Sequence, residues 1–131
     1  MGRVITVTMN PAVDVTVEVD RVRPDAKLRT GRPHRDPGGG GINVARVLTR
    51  LGIEVEAWFP VGGPGGERLK GLLEEEGGSH FGTPVQGDTR ENLTVTDEGS
   101  GDQYRFVLPG SQLKKGEWNA VLEQLSDIDL A

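Results

Sequence analysis

Cysteine is absent from the 131 residues. That excludes a disulfide framework, a thiolate metal site and a cysteine nucleophile, and leaves packing alone to hold the fold. No apolar run approaches the roughly 20 residues needed to cross a bilayer. The N-terminal stretch MGRVITVTMNP also lacks a long apolar segment followed by a small-residue cleavage site. A cytoplasmic protein without a membrane partner is the expectation. Excess positive charge is missing too: 15 Lys and Arg against 20 Asp and Glu give a net charge of −5, which argues against a nucleic-acid partner. The two histidines, His34 and His80, have no second ligand at metal-binding spacing and read as structural, so no metal site is expected in this chain.

Glycine, by contrast, is abundant at 20 residues, well over the usual ~7% share, and it is clustered. Charge is clustered as well. Residues 1 to 50 carry nine Lys or Arg against five Asp or Glu, while residues 51 to 131 carry six against fifteen. The basic half holds the main glycine cluster, a pairing that favours a small anionic ligand over a polyanion, because the basic residues are interleaved with strand and turn signals.

The hydrophobic pattern predicts alternating strands and helices. Residues 3 to 9 read as a strand covered on both faces. Residues 13 to 19 alternate, with Val13, Val15, Val17 and Val19 on one face and Asp14, Thr16 and Glu18 on the other, which predicts a half-buried, antiparallel strand. The stretch from Arg23 to Pro37 reads as an extended connection with a short strand near Lys27 to Thr30. Ile42, Ala45, Val47, Leu48 and Leu51 mark the apolar stripe of a helix starting inside the glycines and stopping at Gly52. A strand over 53 to 60, a helix carrying Leu69, Leu72 and Leu73, and a weak strand near His80 to Val85 follow. Glu91 to Asp97 and Gln103 to Leu108 read as a hairpin, and Leu113 to Leu125 as a last helix marked by Ser111. This rhythm predicts an α/β fold with a mainly parallel sheet flanked by helices. With no strand after the last helix, the chain reads as incomplete.

Four residue groups carry candidate chemistry. The run Gly38 to Gly41 ahead of an apolar helix lets backbone approach a ligand closely and sets exposed N–H groups beside the positive end of the helix, which suits phosphate or sugar hydroxyls. Asn43, in the first helical turn, has two amide donors and an acceptor for a ligand hydroxyl, or serves as a local cap. Asp14, on the polar face of its strand, can accept two sugar hydroxyls, or is simply solvated. Arg90 and Arg105 could converge if the hairpin starts and ends on one side. The two guanidiniums would then make charge-assisted bonds to phosphate oxygens, or are ordinary surface arginines; Lys27 is the other basic residue considered with them.

The segments TMNPAVD, KLRT, PGGGGINVARVLTRLG, FPVGGPGGERL, TREN and QYRFVLPG occur in this order and together resemble the PfkB (ribokinase-like) family of sugar kinases. The likeness is to its phosphofructokinase branch, which takes in 6-phosphofructokinase, 1-phosphofructokinase and tagatose-6-phosphate kinase. The resemblance covers residues 3 to 126, less than half of a usual member. It implies the N-terminal part of a ribokinase-like fold, with a small β-stranded lid formed by strands at about 13–19, 90–97 and 103–108 inserted in a single domain portion spanning 1–131.

The resemblance further implies an ATP-dependent kinase acting on a phosphorylated ketohexose such as fructose 6-phosphate. Asp14 would grip the sugar hydroxyls, with Gly39, Gly40, Gly41 and Asn43 as backbone and amide partners. Lys27, Arg90 and Arg105 would hold the phosphate. A homodimer through the lid is implied as well. The family's second signature, with its anion hole and aspartate base, and its ATP pocket have no counterpart here. No catalytic residue is therefore expected in this chain, and ATP and Mg2+ are expected for a complete enzyme and not on this chain alone. Whether the chain is itself an enzyme stays open. The alternative is a non-catalytic module that binds sugar phosphate or dimerises.

Overall fold

The computed structural model describes residues 2–128. In chain order its elements are β1 (Val4–Val7), β2 (Ala12–Val19), β3 (His34–Gly38), α1 (Gly40–Arg50), β4 (Val55–Val61), α2 (Gly63–Glu75), β5 (Ser79–Pro84), β6 (Arg90–Asp97), β7 (Gln103–Phe106) and α3 (Lys115–Ser126). They form two sheets. One is parallel, in the order β1-β4-β5, and the other runs β3-β2-β6-β7.

The alternation of β2 sends its valines into a core shared by both sheets. Val13, Val15 and Val17 pack with Ile42 and Ala45 of α1, Leu69 and Leu73 of α2, and Val55, Ala57, Phe59 and Val61 of β4. Phe59, Ile42, Leu69 and Val13 are among the largest fully buried side chains, each contributing roughly 1.5–3 kcal/mol of apolar burial. Helices α1 and α2 are thus wedged between the sheets. Helix α3 lies on the far face of the parallel sheet, where Thr83 Oγ1 donates to Gln124 at 2.7 Å and Val121 is buried.

Three expectations are corrected. β2 is not purely antiparallel: it runs antiparallel to β3 and parallel to β6. One-sided burial reports which face is covered, and says nothing of neighbour direction. No strand forms near Lys27 to Thr30; the strand of that region is His34–Gly38. Its period puts Asp36 opposite Asp14 on the polar face and buries Pro37 on the other. As an edge strand it tolerates a proline that cannot donate. Finally, Ser111 does not open the last helix. Its hydroxyl donates to the Asp88 carbonyl, while Lys114 is the cap, its N–H donating to Glu117 Oε1 at 2.9 Å. That contact, with a second from the Gln86 amide, holds Glu117 below the usual carboxylate range.

Candidate acceptor site on the polar face of the mixed sheet

The register of the mixed sheet builds one polar face. Asp36, Asp14 and Asn92 form one cross-strand row, and Thr16, Thr94 and Arg105 form the next. These residues line an open groove of about 430 Å³, which Arg46 also reaches from α1. A carboxylate and a guanidinium predicted from sequence, Asp14 and Arg105, therefore meet in one cavity. Arg105 is exposed and reaches Gln103 Oε1 at 3.2 Å.

Asp14 is held from two sides. Asn92 Nδ2 donates to its Oδ1 at 3.2 Å, while the side-chain Oδ1 of Asn92 accepts the N–H of Leu108 at 3.2 Å. Gly38 presses on the same carboxylate: a Cβ there would come within 2.6 Å of Asp14 Cγ. Asp14 and Asp36 face each other across β2 and β3, a like-charge pair that costs energy unless compensated. Arg46 supplies the positive charge. Its Nη2 lies 3.5 Å from Asp36 Oδ1, and its Nη1 donates to the Pro37 carbonyl at 3.0 Å.

The glycine run turns β3 into α1 under tight constraint. Gly39 has φ 120°, a conformation side chains rarely adopt. A Cβ on Gly41 would sit 2.6 Å from Thr8 Oγ1. That hydroxyl accepts the buried N–H of Ile42 at 2.9 Å and so caps the start of the helix. Gly40 has open space around it, and Asn43 is exposed in the first turn. Gly39 to Gly41 and Asn43 therefore lie next to the Asp14 carboxylate through Gly38, without lining the groove themselves.

The remaining candidates fall elsewhere. Arg105 pairs with Thr94, four residues along β6 from Arg90, so the two arginines share a face but stand about 13 Å apart along it. The convergence expected from the hairpin does not occur. Arg90 instead donates to the carbonyls of Leu108 at 2.9 Å and Asn10 at 3.1 Å. It lines a neighbouring cavity of about 430 Å³ with Arg68 and Pro109. Lys27 is exposed in the connection before β3 and does not line the groove. His80 packs on Phe59 with ring centroids 6.1 Å apart, and His34 Nε2 lies 3.1 Å from Asp36 Oδ2.

Thr8, Asp36, Arg46 and Asn92 were missed from sequence. Asn92 had a signal, since it falls on the polar phase of RENLTVTD. Thr8 directly follows β1, whose VITV already carries a threonine at position 6. Arg46 had none, because a basic residue on a helix reads as solvated until its partners are known.

The model of one protein family, described as pfkB family carbohydrate kinase, matches residues 4–129. ATP-dependent 6-phosphofructokinase isozyme 2 of Mycobacterium tuberculosis is 49% identical over 94% of this chain, which spans 36% of that protein. The 1-phosphofructokinase of Xanthomonas campestris is 36% identical over 95% of this chain and 39% of its own length. The crystal structure of phosphofructokinase-2 from Escherichia coli in complex with fructose-6-phosphate superimposes with a TM-score of 0.94 at 42% identity, covering 98% of this chain and 43% of the other. The chain thus spans about two fifths of the proteins it matches, and over that span it has their mixed α/β architecture.

Proposed function

The chain belongs to the pfkB family of carbohydrate kinases, and from that premise we propose that it carries the acceptor-sugar half of a phosphofructokinase-type kinase. The observation that supports this reading best is the groove shared by Asp14 and Arg105. A carboxylate held by Asn92 accepts sugar hydroxyls, and a guanidinium across the groove pairs with the phosphate the sugar already bears. An unphosphorylated sugar would leave that cation unpaired, so the preferred ligand is a phosphorylated ketohexose such as fructose 6-phosphate. Gly39 to Gly41 and Asn43 bring the N-terminal end of α1 toward the hydroxyls. Lys27 and Arg90 lie outside this groove and would add positive charge around the phosphate.

In the complete enzyme ATP supplies the phosphoryl group. Transfer depends on holding nucleotide, metal and nucleophile together. Among the described residues no group of three or more His, Asp or Glu is arranged to hold a metal ion. The base and the nucleotide pocket belong to the portion of the relatives that this chain does not span. What this chain's residues do is bind the acceptor, orient its hydroxyls and neutralise its phosphate.

The mixed sheet would act as the lid over this site. Its β7 edge exposes Tyr104, Phe106, Val107 and Leu108, an apolar run suited to contact between two copies of the chain, which is the dimeric reading. No described helix is long and apolar enough to cross a membrane, in keeping with a cytosolic kinase.

Calorimetric titration of the purified chain with fructose 6-phosphate tests the proposal, run beside a coupled kinase assay with ATP and magnesium. Binding that fructose alone does not reproduce, without turnover, is the expected result. Equal affinity for fructose would remove the phosphate role of Arg105, and turnover would overturn the division of labour. Light scattering of the same sample reads the dimer.

A further inference from the structure

Asn92 stands where the outer ladder of the mixed sheet stops. β7 is bonded only to β6 and is exposed along its whole length. Its pairing ends with Phe106 opposite Leu93, short of the Leu108 end expected from the hydrophobic pattern. Past that row, side chains of β6 hold the chain. Leu108 is gripped at both ends of its backbone: its N–H donates to Asn92 Oδ1 at 3.2 Å, and its carbonyl accepts from Arg90 Nη1 at 2.9 Å.

The other half of the Asn92 amide meets the sugar-binding carboxylate, with Nδ2 3.2 Å from Asp14 Oδ1. An ionised carboxylate only accepts hydrogen bonds, and a backbone N–H only donates. A side-chain amide answers both at once, and in a single orientation. Leucine at this position would satisfy neither partner, and aspartate would satisfy Leu108 while opposing Asp14. Because the amide is planar, its two contacts cannot move independently, so the end of β7 and the Asp14 carboxylate move together. Asp14 and Asn92 share one cross-strand row, Arg105 stands in the next opposite Thr94, and both rows line the groove. Only Phe106 and Val107 separate Arg105 from the anchored Leu108.

We propose that Asn92 is a positioning residue of the acceptor site: through Leu108 it sets the separation between the Asp14 carboxylate, which takes sugar hydroxyls, and the Arg105 guanidinium, which takes the phosphate. The inference rests on the acceptor reading above and adds the source of its selectivity. A ligand has to present hydroxyl and phosphate at a matching separation to engage both ends. One whose phosphate is absent or misplaced engages one end only. The two ends are then energetically coupled, and the amide carries the coupling.

The test is calorimetric titration with fructose 6-phosphate of the parent, Asn92→Ala, Arg105→Ala and the double variant, with amide exchange followed at Leu108. Asn92→Ala should weaken binding about tenfold, and Arg105→Ala should cost much less affinity in that background than in the parent. Costs that multiply to within about twofold overturn the proposal. Asn92→Asp separates the two bonds, since it keeps an acceptor for Leu108 and sets a carboxylate against Asp14. Exchange at Leu108 should stay as slow as in the parent, while affinity falls at neutral pH and the deficit against the parent shrinks in mild acid, where the added carboxyl gains a proton and can donate to Asp14. Asn92→Ala should speed the same exchange with the circular dichroism of the parent retained. Should Asn92→Ala fail to fold, Asn92→Asp carries the test, and affinity equal to the parent's at neutral pH overturns the proposal. Exchange at Leu108 that Asn92→Ala leaves unchanged overturns it too. A parent that does not bind fructose 6-phosphate removes the acceptor reading and this role with it, whereas a parent that binds, with independent effects of Asn92 and Arg105, removes this role alone.

Discussion

Arg46 of α1 grips Glu76, just beyond α2, with Nε 2.8 Å from Oε2 and Nη2 2.7 Å from Oε1, while its Nη1 holds the Pro37 carbonyl. One guanidinium thereby ties both helices to the strand that leads into the glycine run. The pair holds the Glu76 carboxyl below its ordinary value, the hydrogen bond from Arg46 being the largest cause. Glu76 in turn raises the pKa of Arg46.

Replacing Arg46 by Ala should cost about 1 kcal/mol of stability, since it removes charge-assisted bonds to the solvent-screened carboxylate of Glu76. Arg46→Lys should recover only part, because an ammonium cannot make the forked contact. Because the folded pKa of Glu76 is depressed, the contribution is full above the unfolded carboxylate pKa and fades as pH falls through the folded one. Urea denaturation of parent and variant should therefore show a gap that closes in acid. A gap independent of pH would refute the ion pair as its cause.

Thr8→Val keeps the shape of the side chain and deletes the hydroxyl that accepts the Ile42 N–H. A buried helix-opening donor is then orphaned, at a cost of about 1–2 kcal/mol. Thr8→Ser should restore most of it. Thermal unfolding of the three proteins decides the matter.

Gly38→Ala drives a methyl into the Asp14 carboxylate. The residue that would hold the sugar hydroxyls must then shift. Titration with fructose 6-phosphate should show affinity reduced roughly tenfold or more, the equivalent of one charged hydrogen bond, while circular dichroism stays near the parent. Gly71→Ala, on α2 where space is open and away from the groove, should bind much as the parent does.

Arg105 and Arg90 should separate in their effects. Arg105→Ala is expected to weaken sugar-phosphate binding by about 1.5–3 kcal/mol with little change in stability, since it is exposed. Arg90→Ala releases the carbonyls of Asn10 and Leu108, so its melting temperature should fall as well. Calorimetry alongside thermal unfolding distinguishes the two.

Glu98 behaves oppositely to Glu76. The neighbouring Glu18 raises its pKa, so the folded form gains protons relative to the unfolded chain and stability falls as pH rises through that range. Glu18→Gln should therefore be slightly more stable than the parent at neutral pH, and equal to it in acid. Denaturation at two pH values reads the difference.

Much of this molecule was settled by local chemistry. The alternation Val13 to Val19 dictates which face of β2 is buried, because side chains on a strand project to opposite sides in turn. The glycines and the apolar stripe ending at Gly52 dictate where α1 begins and stops, since the terminal glycine takes a positive φ, of 77°, that other residues resist. The order of motifs was enough to identify the family. Partners distant in sequence were decided only by the tertiary structure. Asp14 meets Asn92, 78 residues away, and Arg46 meets Glu76, 30 residues away, because two sheets pack on one shared core. Arg90 and Arg105, near each other in the chain, are held apart by the register of β6 with β7. Periodicity sets the face on which a side chain lies, but register and packing set what lies opposite it, and those depend on the burial of the whole chain at once.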